Sequence, residues 1–328
     1  MQLTTNEIKN LTFGAYESEE ALDGVRFYRM PDKQARYFEK HDPAFYKKGK
    51  SAASISIDFY TDSSFFFFHC TEVEQCSTRP WCYFDVLING KLVATIGDEP
   101  PIKTSYSFRT DLPDGENRVT LFFPNLHQAT VKEISLSDGA KIRPAEKKRR
   151  ILFLGDSITH GYDAQAPSQS YANRVSFQTD SEAVNLAIGG ACFAADCLDE
   201  SIDYRPDMIV VAYGTNDWRK KPAEACFAGC RAFFDKLCKI YPDKPIFYIL
   251  PIWRHRGCET PEQAESFWLS RNLFKHIASG YKNIKIIDLW EEIPRDLALF
   301  SDGLHPNSEG FAYYANGVIK HLNFEDKE

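Results

Sequence analysis

From Ile151 onward, five short apolar runs at about 151–155, 183–188, 207–213, 245–250 and 284–289 alternate with stretches of helical periodicity near 168–178, 192–201, 222–240, 261–280 and 308–322. Strands that alternate with helices join in parallel, and a parallel sheet has to be covered on both faces. The pattern predicts an α/β domain over residues 151–328. In such sheets ligands bind beyond the carboxyl ends of the strands.

The preceding 138 residues obey a different rule. Ile55, Ile57 and Phe59 alternate with Ser54, Ser56 and Asp58, which is the period of a strand. Between Cys82 and Ile88 both alternating sets carry apolar bulk, so this strand is expected to be covered on both sides. Asn89-Gly90 supplies the turn of a hairpin returning over Lys91 to Ile96, and Asp114-Gly115 marks a turn before Arg118 to Phe123. Short strands with turn signals predict a β-sandwich, jelly-roll-like, over 1–138, with Phe65 to Phe68 as a buried strand. Residues 139–150 read as a linker, in which Lys147-Lys148-Arg149-Arg150 is a solvated charge run rather than a nucleic-acid signal.

Composition narrows the function classes. The 328 residues are 43% hydrophobic and 14% aromatic, enough for a substantial core, and the net charge of -7 argues against a nucleic-acid partner. A neutral ligand fits that balance better. No stretch reaches the length of a membrane span, and the first ten residues show neither the basic start nor the apolar core of a secretory signal, so a cytoplasmic location is expected. The nine cysteines lack metal-ligand spacing and fit reduced thiols. Cys226 and Cys230 share one helical stripe with Phe233, Leu237 and Ile240, which is a packing pattern.

Three small-residue motifs directly follow predicted strands: Gly155-Asp156-Ser157, Gly189-Gly190 and Gly214-Thr215-Asn216-Asp217. A fourth, Asp302-Gly303-Leu304-His305-Pro306, precedes the last predicted helix. Singly, each has a structural use: Ser157 can cap a helix, Asn216 and Asp302 can form turns, and His305 can be a loop histidine. Together on one rim they supply what acyl transfer needs. A serine hydroxyl requires a base, His305 can serve near neutral pH, and Asp302 can fix its tautomer. The backbone N–H groups of Ser157 and Gly190 and the side-chain amide of Asn216 are candidate oxyanion donors.

These four blocks, with Asn185-Leu186-Ala187-Ile188 ahead of the glycine pair, resemble the SGNH (GDSL) hydrolase superfamily over about residues 150–322. Ile158 stands where the family has the leucine that gives it one of its names. The resemblance implies a flavodoxin-like three-layer α/β/α fold, Ser157 as nucleophile, Asp302 and His305 completing the triad, Gly190 and Asn216 in the oxyanion hole, and no metal or cofactor. The β-rich half resembles the sandwich preceding the hydrolase domain of several bacterial carbohydrate esterases, through stretches such as Phe27-Tyr28-Arg29-Met30-Pro31 and Ile57-Asp58-Phe59-Tyr60-Thr61-Asp62.

The function expected is removal of a small acyl group, acetyl first, from a carbohydrate or related small ester. Trp218 and Trp253 are candidates to stack on sugar faces, and His160, Arg254 and His255 to bond to hydroxyls. A lipase or thioesterase acting on longer chains, and a carbohydrate-binding protein using the fold as scaffold, are the competing readings. The sequence does not specify an oligomeric state.

Overall fold

The computed structural model describes residues 1–220 and 222–322. Residue 221 and residues 323–328, the end of the expected 151–328 domain, lie outside the described residues. The second half holds a five-stranded parallel sheet whose spatial order is Ser181–Asn185, Arg149–Gly155, Met208–Ala212, Ile246–Ile249 and Ile284–Ile287. The chain begins at the second position, winds to one edge, then crosses to the other side. That reversal places the loops after the first three strands together at one rim.

Helices Tyr171–Gln178 and Ser308–His321 cover one face, around Phe153, Val210, Phe247 and Phe311. Helices Ala223–Ile240 and Pro261–Ala278 cover the other, around Leu152, Val211, Phe233 and Phe274. Cys226 and Cys230 are buried in this second core with Phe233 and Leu237.

One expected helix is absent. Residues 192–201 form only a single 3-10 turn, Ala195–Cys197. The cover comes from the first half of the chain: helices Asp32–Glu39 and Pro43–Gly49 send Ala35, Phe38 and Phe45 into the same core as Leu152, Leu186 and Leu198. Gln34 donates to the Cys197 carbonyl and anchors this hairpin to the turn. Burying each of the two phenylalanines is worth about 1.5–3 kcal/mol, which favours docking of this helix pair where a local helix was expected.

The first half otherwise forms two antiparallel sheets around one core that includes Ile57, Phe59, Phe66, Phe68, Phe84 and Leu121. Strand Cys82–Ile88 is covered on both sides as its composition predicts. Cys82, Phe84, Val86 and Ile88 point into the sandwich core, while Asp85 on the opposite face accepts from the Ser168 N–H of the second domain at 2.8 Å. Asn89 and Gly90 adopt φ of 51° and 80° in the predicted hairpin turn.

The 139–150 segment is not a solvated tether. Ile142–Pro144 pairs with the strand Ser56–Thr61, and Arg149 already begins the parallel sheet. Lys147, expected in solvent, reaches the fully buried carboxylate of Asp58 at 2.5 Å, beside Arg118 at 2.8 Å. A buried carboxylate needs such partners, and the charge run supplies one of them.

Candidate functional site

Strand Arg149–Gly155 ends in a turn that presents Ser157 as the first residue of a four-residue helix, Ser157–His160. Asp156 caps it by accepting from the Ile158 N–H at 3.0 Å. Gly155 is required there, since a Cβ would lie 2.2 Å from Thr159 Oγ1. Sharp turning at both ends fixes the Ser157 hydroxyl at the rim.

Asp302 Oδ1 accepts from the backbone N–H groups of Leu304 at 3.1 Å and His305 at 2.9 Å, a turn that depends on φ of 72° at Gly303. This turn returns the imidazole onto its own acid: His305 Nδ1 lies 2.9 Å from Asp302 Oδ2. On the other side His305 Nε2 lies 2.7 Å from Ser157 Oγ. A proton on Nδ1, facing the carboxylate, leaves Nε2 to accept from the serine hydroxyl. Burial opposes ionisation of Asp302, but hydrogen bonds from the His305 ring and backbone outweigh it and hold the carboxyl well below its usual range.

The glycine pair divides its tasks through His160. The Gly189 N–H donates to His160 Nδ1 at 3.1 Å, and His160 Nε2 in turn lies 2.7 Å from Ser51 Oγ. His160 is fully buried, and burial with the charges of Arg29 and Lys48 pushes its ring well below the usual histidine range, so it stays neutral. It supports the turn and does not reach the cleft. Gly190 takes φ of 91° at the lip. Asn216 Nδ2 donates to the Ala191 carbonyl at 3.1 Å and Asp217 Oδ1 accepts from the Phe193 N–H at 2.9 Å, strapping the glycine loop to the third strand's loop.

These groups open onto a cleft of about 330 Å³ lined by Ser157, Gly189, Gly190, Thr215, Asn216 and His305 together with Arg254, Arg256, Lys48 and Arg79. Of the residues expected to contact substrate, Arg254 alone is among those lining the cleft, braced by the carbonyls of Thr215 at 2.9 Å and Arg256 at 2.6 Å. Trp218 packs on Phe267 with ring centroids 5.3 Å apart, and Trp253 on Phe300 at 5.4 Å. His255 is exposed, and its backbone N–H braces the Gly303 carbonyl at 2.8 Å. Both tryptophans are adjacent to the site in sequence, but they are half-buried against these phenylalanines and neither is among the residues lining the cleft.

Residues 153–313 match the GDSL-like lipase/acylhydrolase family. The second domain belongs to that family. Among solved structures, this chain is similar to a candidate GDSL-like lipase from Bacteroides ovatus, at 20% identity and a TM-score of 0.79, covering 98% of this chain and 96% of that one. It is also similar to a salicylyl-acyltransferase from a tetracycline biosynthetic pathway, at 20% identity and a TM-score of 0.76 over 94% and 92% of the two chains. A family two carbohydrate esterase from Cellvibrio japonicus aligns at 14% identity and a TM-score of 0.65 over 98% and 96%. Comparison with curated protein sequences gives no match. At these identities the likeness is one of fold, and it extends through the antiparallel domain that precedes the GDSL domain.

That preceding domain enters the site, which the sequence did not reveal. Arg79, in the loop between strands Phe65–Gln75 and Cys82–Ile88, donates to Asp163 at 2.6 and 2.8 Å and to Asp302 at 3.3 Å. Lys48 Nζ donates to the Gly189 carbonyl at 2.7 Å. The only signal for Arg79 is a run, Ser77-Thr78-Arg79-Pro80, that breaks strand alternation where a plain turn would suffice. Asp163 lies six residues after Ser157, a spacing that carries no chemical rule.

Proposed function

We propose that this GDSL hydrolase is a serine esterase that removes small acyl groups, acetyl first, from a carbohydrate or a related small ester. The observation that carries the reading is the continuous line from Ser157 Oγ to His305 Nε2 at 2.7 Å and from His305 Nδ1 to Asp302 at 2.9 Å. In this reading Ser157 attacks the ester carbonyl while His305 takes its proton, and Asp302 orients and stabilises the resulting imidazolium. The oxyanion meets the N–H groups of Ser157 and Gly190 and the second amide proton of Asn216, whose first holds Ala191. His160 supports Gly190 in this role because it engages the N–H of Gly189. His305 then protonates the leaving alcohol, and water, deprotonated by the same imidazole, hydrolyses the acyl-enzyme.

Size and lining support a short acyl chain and a polar alcohol. A cleft of about 330 Å³ lined by Arg79, Arg254, Arg256, Asn216 and Thr215 offers hydrogen-bond donors rather than a long apolar groove. The likeness to a family two carbohydrate esterase is in keeping with a sugar as the alcohol.

Turnover of 4-nitrophenyl esters from acetyl to decanoyl, with wild type and Ser157→Ala, tests the reading. A steep preference for acetyl that vanishes in the variant is expected. Preference for decanoyl would favour the lipase or thioesterase reading, and sugar binding without Ser157-dependent turnover would favour the scaffold reading.

A further inference from the structure

Asp302 is not the only acid at His305. Asp163 Oδ2 lies 3.5 Å from His305 Nδ1, on the same edge of the ring that faces Asp302. Asp163 is 3% exposed and takes a left-handed φ of 64°, a conformation uncommon outside glycine, asparagine and aspartate. Both its oxygens accept from the Arg79 guanidinium, whose Nη2 also lies 3.3 Å from Asp302 Oδ2 and 3.4 Å from His305 Nδ1. Arg256 closes the group from the opposite loop, 2.9 Å from Asp302 Oδ2. Tyr162 stacks on the His305 ring with centroids 5.8 Å apart, and burial raises its hydroxyl, so it contributes no charge near neutral pH.

We propose that Asp163 and Arg79 are a positioning pair, one from each domain, that sets the charge balance at His305. The inference rests on the reading of His305 as the base for Ser157. Two carboxylates on one edge of an imidazole favour the imidazolium, and a histidine already protonated cannot accept the serine proton. Arg79 offsets the second carboxylate and grips it in a bidentate fork that fixes its position. The sandwich domain is on this account part of the catalytic apparatus, because Arg79 has no equivalent on the GDSL side of Asp163 among the described residues. A purely structural ion pair would couple stability to both residues but would not move the titration of His305 in opposite directions.

The experiment is the pH dependence of kcat/KM for 4-nitrophenyl acetate in wild type, Asp163→Asn, Arg79→Met, Arg79→Lys and the Asp163→Asn/Arg79→Met double variant. Removing the carboxylate leaves Arg79 to oppose the imidazolium, so the acidic limb is expected to move about one unit lower. Removing the guanidinium is expected to move it about one unit higher, with Arg79→Lys returning it toward wild type. The double variant, which loses one charge of each sign, is expected to lie between the single variants and close to wild type. Shifts in the same direction, or none, would overturn the proposal. If wild type turns over no ester, the reading of the site fails separately. NMR titration of the His305 ring protons in the same five proteins, assigned by their loss in His305→Gln, then decides by the same opposite displacements or their absence.

Discussion

Arg29, with no solvent exposure, donates to the Ala187 carbonyl at 2.8 Å and so ties the sandwich domain to the loop that carries Gly189 and Gly190. The same guanidinium reaches the carbonyls of Asn185 at 2.6 Å, Ser51 at 3.1 Å and Lys48 at 2.8 Å. Burial pulls its pKa down to about 10, which still leaves it charged near neutral pH.

Arg29→Met is therefore expected to cost at least about 3 kcal/mol, because the buried carbonyls of Ser51, Asn185 and Ala187 lose the guanidinium together. The midpoint of urea unfolding measures this. Arg29→Lys should recover only part of the loss, since an ammonium cannot reach the four carbonyls in the geometry of a planar fork. Equal stability of wild type and Arg29→Met would contradict the anchoring role.

Asn216→Ala should lower kcat on 4-nitrophenyl acetate by about 10²- to 10³-fold with a small change in KM, the signature of a donor that acts in the transition state. Steady-state kinetics with active-site titration separates the two parameters. A rise in KM at constant kcat would instead make Asn216 a ground-state contact.

Trp253→Ala should leave KM for small esters unchanged and lower stability by about 2 kcal/mol, because the ring packs on Phe300 and does not line the cleft. Thermal unfolding and KM together test this. A raised KM at unchanged stability would restore Trp253 as a substrate platform.

How far the site could be read from the sequence follows from what each residue's role depends on. Ser157, Gly190, Asn216, Asp302 and His305 were legible because each sits in a small-residue turn at the end of a strand or the start of a helix, where local patterning alone locates it. The parallel strands were legible for the same reason. Trp218 and Trp253 show the limit of that logic: sequence proximity places a residue beside a site without saying which way its ring turns. The missing helix at 192–201 and the roles of Arg79, Asp163, Lys48 and Arg29 depend on how two domains of different pattern dock. Helix Asp32–Glu39 takes the place of a local helix only because Phe38 and Ala35 meet Leu198 and Leu186 in three dimensions, and no period in either segment encodes that. Within the run from Lys147 to Arg150, Lys147 departs from the solvated reading because its partner, Asp58, is 89 residues distant in sequence.

Acid should weaken the fold through buried neutral histidines. His127 is fully buried, neither ring nitrogen has a hydrogen-bond partner, and burial with the charge of Lys47 lowers it to about 4. His160 is displaced in the same direction. A histidine with its folded value depressed binds fewer protons than the unfolded chain, so its stability contribution is intact above about 6.5 and declines as pH falls toward the folded value. His127 alone should remove about 2 kcal/mol between pH 7 and pH 5. Urea midpoints at the two pH values check the sum, and His127→Leu should flatten the dependence.

The central claim is that Ser157 is the nucleophile activated by His305, and stoichiometric phosphorylation tests it most directly. Wild-type protein and Ser157→Ala are treated with diethyl 4-nitrophenyl phosphate, which esterifies an activated serine, and the site of modification is located by peptide mass spectrometry. The account predicts one diethylphosphoryl group on the peptide containing Ser157, its absence in Ser157→Ala, and far slower labelling in His305→Gln. Labelling at another residue, or equal labelling in wild type and Ser157→Ala, would contradict it.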